Sequence, residues 1–269
     1  MTTDLKTRAH FSRIAETYRQ LRTTDEAPIR FIRDKLDGLA SITAADFGSG
    51  EGRYDLLLFR YLPNLRLTCV DSNEGMLAEL SRYLSAHGIT DFRTVAARVE
   101  DADLEAASFD CVFSFNAVHH FYFPTFLDKA ARAIRQGGRI FVYTRTPGQN
   151  ARTIWGRFFP DFAAKETRLH TLADMKSQVA AAAGLELVQV KRFRYARGAT
   201  LERLVGQARS RHYSTFSLYA PEAFETALQG FEENVRREFA DPDHVGWHDE
   251  NIMLMVERTL TVERTGEPG

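Results

Sequence analysis

Asp46-Phe47-Gly48-Ser49-Gly50-Glu51-Gly52 stands between an apolar run, Ile42 to Phe47, and a helical stretch, Arg53 to Leu62. Glycines in such a turn adopt backbone angles closed to other residues, and their missing side chains let a ligand lie against the main chain. The helix that follows points its free N–H groups at whatever occupies the turn. In open α/β sheets, ligands bind outside the carboxyl ends of the strands. The next apolar run, Leu65 to Val70, ends in Asp71. A carboxylate there can accept hydrogen bonds from ribose hydroxyls, or it can cap the helix that begins near Glu74. Coupled to the glycine turn, Asp71 reads as a ribose ligand, so the segment is expected to bind an adenosine-like molecule.

Outward from this segment, short apolar runs alternate with amphipathic stretches, the mark of parallel β-α units. Glu74 to His87 is expected to be a helix, with Met76, Leu77, Leu80 and Leu84 at 3- and 4-residue spacing. Phe92 to Ala96 and Phe109 to Phe115 read as the third and fourth strands. The latter is apolar almost throughout, as a strand covered on both faces must be. Phe126 to Ile134 reads as a helix broken by Gly137-Gly138, and Arg139 to Thr144 as the fifth strand. The rhythm then changes. Thr171 to Ala183, Leu201 to Gln207 and Pro221 to Phe239 read as helices, and Leu185 to Tyr195 and Asn251 to Val262 as the last two strands. Phe11 to Phe31 is expected to hold one or two helices ahead of the sheet. The expected division is a helical lid over residues 1–40, a binding core over 41–145, the rest of the same domain over 146–264, and a tail over 265–269.

Composition narrows the function. The chain has 269 residues, 44% hydrophobic and 26% charged, which suits one sizeable packed core. Lys and Arg number 35 against 36 Asp and Glu, so coating nucleic acid or an acidic membrane is not the expected task. No run approaches the roughly 18 apolar residues of a membrane span, and Met1 to Arg13 lacks the apolar centre of a signal peptide. Cys69 and Cys111 lie far apart in apolar runs and read as reduced core residues. A cytoplasmic location is the expectation.

Spacing selects the ligand. The dinucleotide fingerprint needs a third glycine three positions after Gly50, where Arg53 stands here, and no Gly-Lys-Ser/Thr follows, so neither a nicotinamide site nor a P-loop fits. Asp46-x-Gly48-x-Gly50-x-Gly52, the strand end at Asp71, Phe109-Asp110, Asn116-Ala117-Val118-His119-His120-Phe121 and Arg135-Gln136-Gly137-Gly138-Arg139 together resemble class I S-adenosylmethionine-dependent methyltransferases. Within them the chain resembles the small-molecule branch that includes ubiquinone/menaquinone-biosynthesis and trans-aconitate methyltransferases. The resemblance covers roughly residues 10 to 145 with specific motifs and the last two strands more loosely. It implies an α/β fold with a doubly wound, Rossmann-like seven-stranded sheet ending in an antiparallel pair. An N-terminal helical lid and a helical insertion before the last strand complete it, and S-adenosyl-L-methionine is the implied cofactor.

The resemblance also implies roles. Gly48, Ser49 and Gly50 would carry the methionine moiety, with Asp46 near its amino group. Asp71 would hold the ribose and Ser72 would flank the adenine. Arg98 occupies the position where the family often has an acid; Val99 could then offer a backbone N–H and Glu100 could replace the acid. Tyr18 and Arg22 match a lid that reaches the cofactor carboxylate, although an exposed amphipathic helix would carry the same residues. Asn116 and His120 would lie beside the reactive methyl. His119 and His120 are the candidate catalytic bases, since imidazole titrates near neutral pH; capping a loop or binding the methionine end are the alternatives. No third ligand with recognisable spacing accompanies them, so no metal is expected.

The acceptor is less legible. Trp155, Phe158, Phe159 and Phe162 form either a pocket wall or ordinary core. From Lys191 to His212 the chain carries seven Lys and Arg against Glu202 alone. This is a solvated face, a grip for an anionic small molecule built on Arg211, His212, Tyr213 and Ser214, or a contact for RNA in a tRNA methyltransferase. Trp247 could close the same pocket. A small-molecule acceptor is the favoured expectation, and a non-catalytic cofactor-binding protein remains the rival from outside enzymology. Monomer and homodimer stay open.

Overall fold

A computed structural model of the chain describes residues 23–259. Tyr18, Arg22 and most of the expected lid lie outside the described residues. The strands β1 (Ile42–Phe47), β2 (Leu65–Asp71), β3 (Phe92–Ala96), β4 (Phe109–Phe115), β5 (Ile134–Thr144), β6 (Leu185–Ala199) and β7 (Val245–Arg258) form one seven-stranded sheet in the order β3-β2-β1-β4-β5-β7-β6. The pairs among β1 to β5 are parallel, whereas β7 runs antiparallel to both β5 and β6. The Rossmann-like, doubly wound sheet expected from the sequence is therefore present.

Alternation within the strands assigns side chains to two faces. Ala44, Leu67, Cys69 and Phe113 face the helices α1 (Ala27–Lys35), α2 (Arg53–Tyr61) and α3 (Glu74–Ala86). Their neighbours Ala45, Val70 and Val112 face α4 (Phe123–Ala133). A run such as Phe109–Phe115 must be apolar on both sides because helices cover both sides. Cys69 and Cys111 are buried free thiols in the first of these layers.

After β5 come three short helices, α5 (Pro147–Arg152), α6 (Ile154–Phe158) and α7 (Phe162–Lys165), then α8 (Leu172–Ala181). Between β6 and β7 lie α9 (Leu201–Arg209), a 3-10 turn at Ser214–Leu218 and α10 (Pro221–Glu238). The helices α5 to α7 and α9 to α10 make a cap with its own apolar centre, built on Trp155, Phe159, Phe216, Phe224 and Phe231. β7 pairs with β5 only over Ile252 to Glu257, but with β6 along its whole length. The remaining stretch is a two-stranded ribbon running past the sheet, and Val245 at its far end packs into the cap.

The ribbon explains where the sequence reading of boundaries fails. β6 continues to Ala199 instead of ending at Tyr195, and β7 starts at Val245 instead of Asn251. Each strand supplies the other's backbone partners where the sheet no longer can. β5 begins at Ile134, not Arg139, because Gly137-Gly138 sits inside the strand at a register shift opposite Phe109/Cys111. No helix among the described residues is long and apolar enough to cross a membrane.

Candidate active site

A cavity of about 480 Å³ opens at the carboxyl ends of β1, β2, β4 and β5, within the usual range for small-molecule sites. Its floor is the glycine turn. Gly48 and Ser49 donate their N–H groups to the Val70 carbonyl at 2.8 and 3.2 Å, which bends the chain away from β1. Gly48 has φ +77°, and a Cβ there would stand 2.4 Å from Ala117 Cβ. The turn is thus pressed against the loop after β4. Gly50 also has positive φ, +57°, but nothing lies within 4 Å of where its Cβ would be. That open side lines the cavity.

Asp71 accepts from Gly50 N at 3.0 Å through Oδ2 and from Asn73 N at 2.8 Å through Oδ1. It ties the end of β2 to the turn after β1. The cap of α3 is Asn73, whose Oδ1 accepts from Met76 N at 3.2 Å, so the helix-capping alternative for Asp71 does not hold. Burial raises the Asp71 pKa, and the two N–H groups counter it.

Beneath the turn lies a buried carboxyl pair. Asp46 and Asp55 are each 1% exposed. Burial pushes Asp46 up to about 7. Burial raises Asp55 well above the ordinary carboxyl range, and the neighbouring Asp46 charge adds to it. Asp55 is therefore the protonated partner and donates to Asp46, which ionises only as pH approaches neutrality. Apart from the proton they share, Asp46 Oδ1 and both Asp55 oxygens are buried without a hydrogen-bond partner, and Asp46 lines the cavity. A carboxylate in the cavity lining beside the open side of Gly50 fits an ammonium-bearing ligand lying along the backbone.

The wall beyond Asp71 is Arg98, Val99 and Glu100. Glu100 pairs with Arg98 at 3.4 Å and accepts from Tyr122 N at 3.3 Å, so an acid is held at this wall despite the arginine at position 98. Asn116, with φ +53°, turns out of β4 and accepts from Asn251 Nδ2 at 3.1 Å. His119 and His120 follow with ring centroids 4.0 Å apart, both lining the cavity.

The far end of the cavity belongs to the cap. Arg168 grips Glu166 through two parallel bonds, 2.8 and 2.5 Å, and donates to Ser214 Oγ at 3.1 Å. Thr215 Oγ1 donates to Glu166 at 2.5 Å. Burial would raise the Glu166 pKa, but these partners outweigh it and lower it. Arg145, the first residue after β5, lies 5.5 Å from the Tyr213 ring centroid. Burial works against its charge, yet Tyr213 and Asp249 overcome that and keep it cationic.

A family model described as methyltransferase domain matches residues 45–142. Those residues are a methyltransferase domain. The sheet order around it is that of the Rossmann-like methyltransferase fold. No curated protein sequence matches the chain. Among solved structures, the methyltransferase is similar in fold to a putative methyltransferase from Bacillus halodurans C-125, with TM-score 0.62 and 15% identity, covering 88% of this chain and 100% of that one. It is similar also to geranyl diphosphate C-methyltransferase of Streptomyces coelicolor A3(2), solved with Mg2+, geranyl diphosphate and S-adenosyl-L-homocysteine. Here the TM-score is 0.55 and identity 13%, over 87% of this chain and 79% of that one. A phosphoethanolamine N-methyltransferase 2 of Haemonchus contortus, solved with phosphomonomethylethanolamine and S-adenosylhomocysteine, gives 0.55 and 15%, over 86% of this chain and 52% of that one.

The methyltransferase brings Asp46, Gly48, Ser49, Gly50, Asp71, Ser72, Arg98, Val99, Glu100, Asn116, His119, His120 and Tyr213 together around one cavity. Three residues expected at the acceptor are not in its lining. Trp155 is 4% exposed and stacks on Phe231 inside the cap, because a large ring on a short amphipathic helix is used to seal that helix. Arg211 turns away at φ +48°, donates to the Phe216 carbonyl at 3.1 Å and covers the Phe224 ring. Trp247 sits on the ribbon and donates to Asp249 at 3.1 Å. Conversely, Arg145 and Arg168 escaped the sequence reading. Arg145 has a usable signal, its place directly after a parallel strand; Ser214 is in the anion-gripping run read from the sequence and does line the cavity, whereas Arg168 and Thr215 have no signal.

Proposed function

We propose that the methyltransferase moves the methyl group of S-adenosylmethionine onto a small, acidic molecule bound under the cap. The observation that carries this is the continuity of one cavity from the glycine turn to Arg145 and Tyr213. In this reading the Asp46 carboxylate meets the cofactor's amino group, Gly48, Ser49 and Gly50 lie against its methionine portion, and Asp71 accepts from the ribose hydroxyls. Ser72, Val99 and the Arg98–Glu100 pair border the adenine, and Tyr18 and Arg22 keep the lid role at the carboxylate. When bound, the cofactor supplies a methyl already activated by a sulfonium. The protein then has to align donor and acceptor and exclude water, worth roughly 7–11 kcal/mol of barrier. β4 lies between β1 and β5, so Asn116, His119 and His120 sit between the donor end and the arginine end. Either histidine can take a proton if the acceptor must lose one, worth roughly 10²–10⁴-fold.

The basic 191–212 stretch is split: Lys191, Arg192, Arg194, Arg203 and Arg209 are exposed and keep RNA as the alternative acceptor, whereas the rest is engaged within the protein. Arg197 is held by Asp25 at 2.7 Å and Asp249 at 3.2 Å, and Arg211 is turned into the cap. Release of S-adenosylhomocysteine from labelled cofactor, with acidic small molecules or bulk tRNA as acceptor, separates the two. Turnover with small acids supports the proposal; label in tRNA that falls steeply with salt overturns it.

Asp46 also sets a pH dependence. Its anionic form attracts an ammonium, so S-adenosylhomocysteine affinity is expected to rise between pH 5.5 and 7. Stability runs the opposite way for this group. A folded-state pKa raised to about 7 favours the protonated fold, so its contribution is full below the unfolded value and is lost as pH rises through about 7. Asp55→Ala removes the donor and shifts the affinity midpoint to higher pH, whereas Asp55→Asn keeps a donor and holds it in place. Calorimetric titrations across this range that are flat, or the same for both variants, contradict the assignment.

A further inference from the structure

The cap end of the cavity has a charge count, and it restricts the acceptor more than the word acidic does. Two guanidiniums, Arg145 and Arg168, and one carboxylate, Glu166, line that end. Arg168 spends its fork on Glu166, in a bidentate pair whose side chains are 18% and 4% exposed. Thr215 completes the Glu166 shell from the other side. This pair is internally neutral and rigid. Among the described residues, Arg145 has no carboxylate within ion-pair distance, and Asp249, the acid that acts on it from further away, is taken by Arg197 and Trp247. Among the described residues, one guanidinium without a carboxylate partner therefore lines this end of the cavity, hydrogen-bonded to neutral Tyr213, with Ser214 in the same lining.

We infer that the methyl acceptor carries a single carboxylate, held by the Arg145 fork with Tyr213 and Ser214 beside it, and that Arg168 serves as a positioning residue that fixes Ser214 and Thr215. This rests on the methyltransferase reading of the site. A guanidinium matches a carboxylate with two parallel bonds. A phosphomonoester brings about two negative charges, and a diphosphate more; one free guanidinium leaves the excess buried and uncompensated. The phosphorylated ligands of the solved relatives are thus not the expected chemistry here.

The test uses the full chain saturated with S-adenosylhomocysteine and three matched probes: benzoate, phenyl phosphate and benzyl alcohol. Calorimetry on the wild type is expected to show benzoate binding about 10- to 100-fold tighter than benzyl alcohol, the worth of a charged hydrogen-bonded contact, and tighter than phenyl phosphate. Arg145→Met should remove that preference, and Arg145→Lys should restore only part of it, while both keep wild-type S-adenosylhomocysteine affinity. Arg168→Met should weaken benzoate less than Arg145→Met does and should also lower the thermal midpoint, because it strands Glu166. Phosphate binding tighter than carboxylate, no preference among the probes, or a benzoate preference that survives Arg145→Met overturns the inference. Loss of S-adenosylhomocysteine binding by the wild type would instead overturn the methyltransferase reading beneath it.

Discussion

Asp71→Ala is expected to weaken S-adenosylmethionine binding about 100-fold or more. Two hydrogen bonds from ribose hydroxyls to a carboxylate are worth roughly 1.5–3 kcal/mol each, and 1.4 kcal/mol is tenfold in affinity. The substitution also strips acceptors from the N–H groups of Gly50 and Asn73, which are 3.0 and 2.8 Å from the carboxylate. The glycine turn then loses its tie to β2, so the methionine end of the site loosens along with the ribose end. Asp71→Asn keeps an acceptor for Gly50 and should fall between the wild type and alanine. Calorimetry with S-adenosylhomocysteine reads all three. A loss of less than about threefold in the alanine variant would mean that Asp71 serves the turn and touches no ligand.

The second large effect is on stability. Gly48→Ala places a methyl 2.4 Å from Ala117 Cβ and 2.9 Å from Phe121 Cζ, at φ +77°. The left-handed backbone costs roughly 1–2 kcal/mol for a residue with a Cβ, and forced overpacking typically adds roughly 1–3 kcal/mol. A fall of about 2–5 kcal/mol in unfolding free energy is expected by denaturant titration. Gly50→Ala gives the contrast. It shares the backbone cost at φ +57° but meets no neighbour within 4 Å, so its extra penalty should appear in cofactor affinity. Equal stability losses in the two variants would remove the distinction drawn between a packing glycine and a ligand-facing one.

What the sequence revealed and what it hid follow from the range of the interactions. The glycine turn, the strand end at Asp71 and the loop at Asn116 to Phe121 are local constructions. Strand, turn and helix are neighbours in the chain, and each side chain's position follows from its own segment. Arg145 is local too, one residue beyond β5. The remaining acceptor end is not. Arg168 comes from the loop after α7 and Ser214 from the turn after α9, 46 positions later, and only the packing of the cap brings them within 3.1 Å. No periodicity encodes that contact. The aromatic cluster from Trp155 to Phe162 shows the converse. Its spacing fits both a pocket wall and the core packing the sequence favours, and the positions of Phe216 and Phe231 decide for the second. Strand ends at the ribbon are hidden for the same reason, since β6 and β7 extend each other beyond the sheet.

The measurement that bears most directly on the whole account is a calorimetric titration of the full chain with S-adenosylhomocysteine, with NADH as the matched control. Binding of the adenosyl ligand in the micromolar range, with none for NADH, is the predicted result. Binding of NADH alone, or of neither ligand, would contradict the account, because Asp46, Asp71 and the open side of Gly50 would then be shaped for something else.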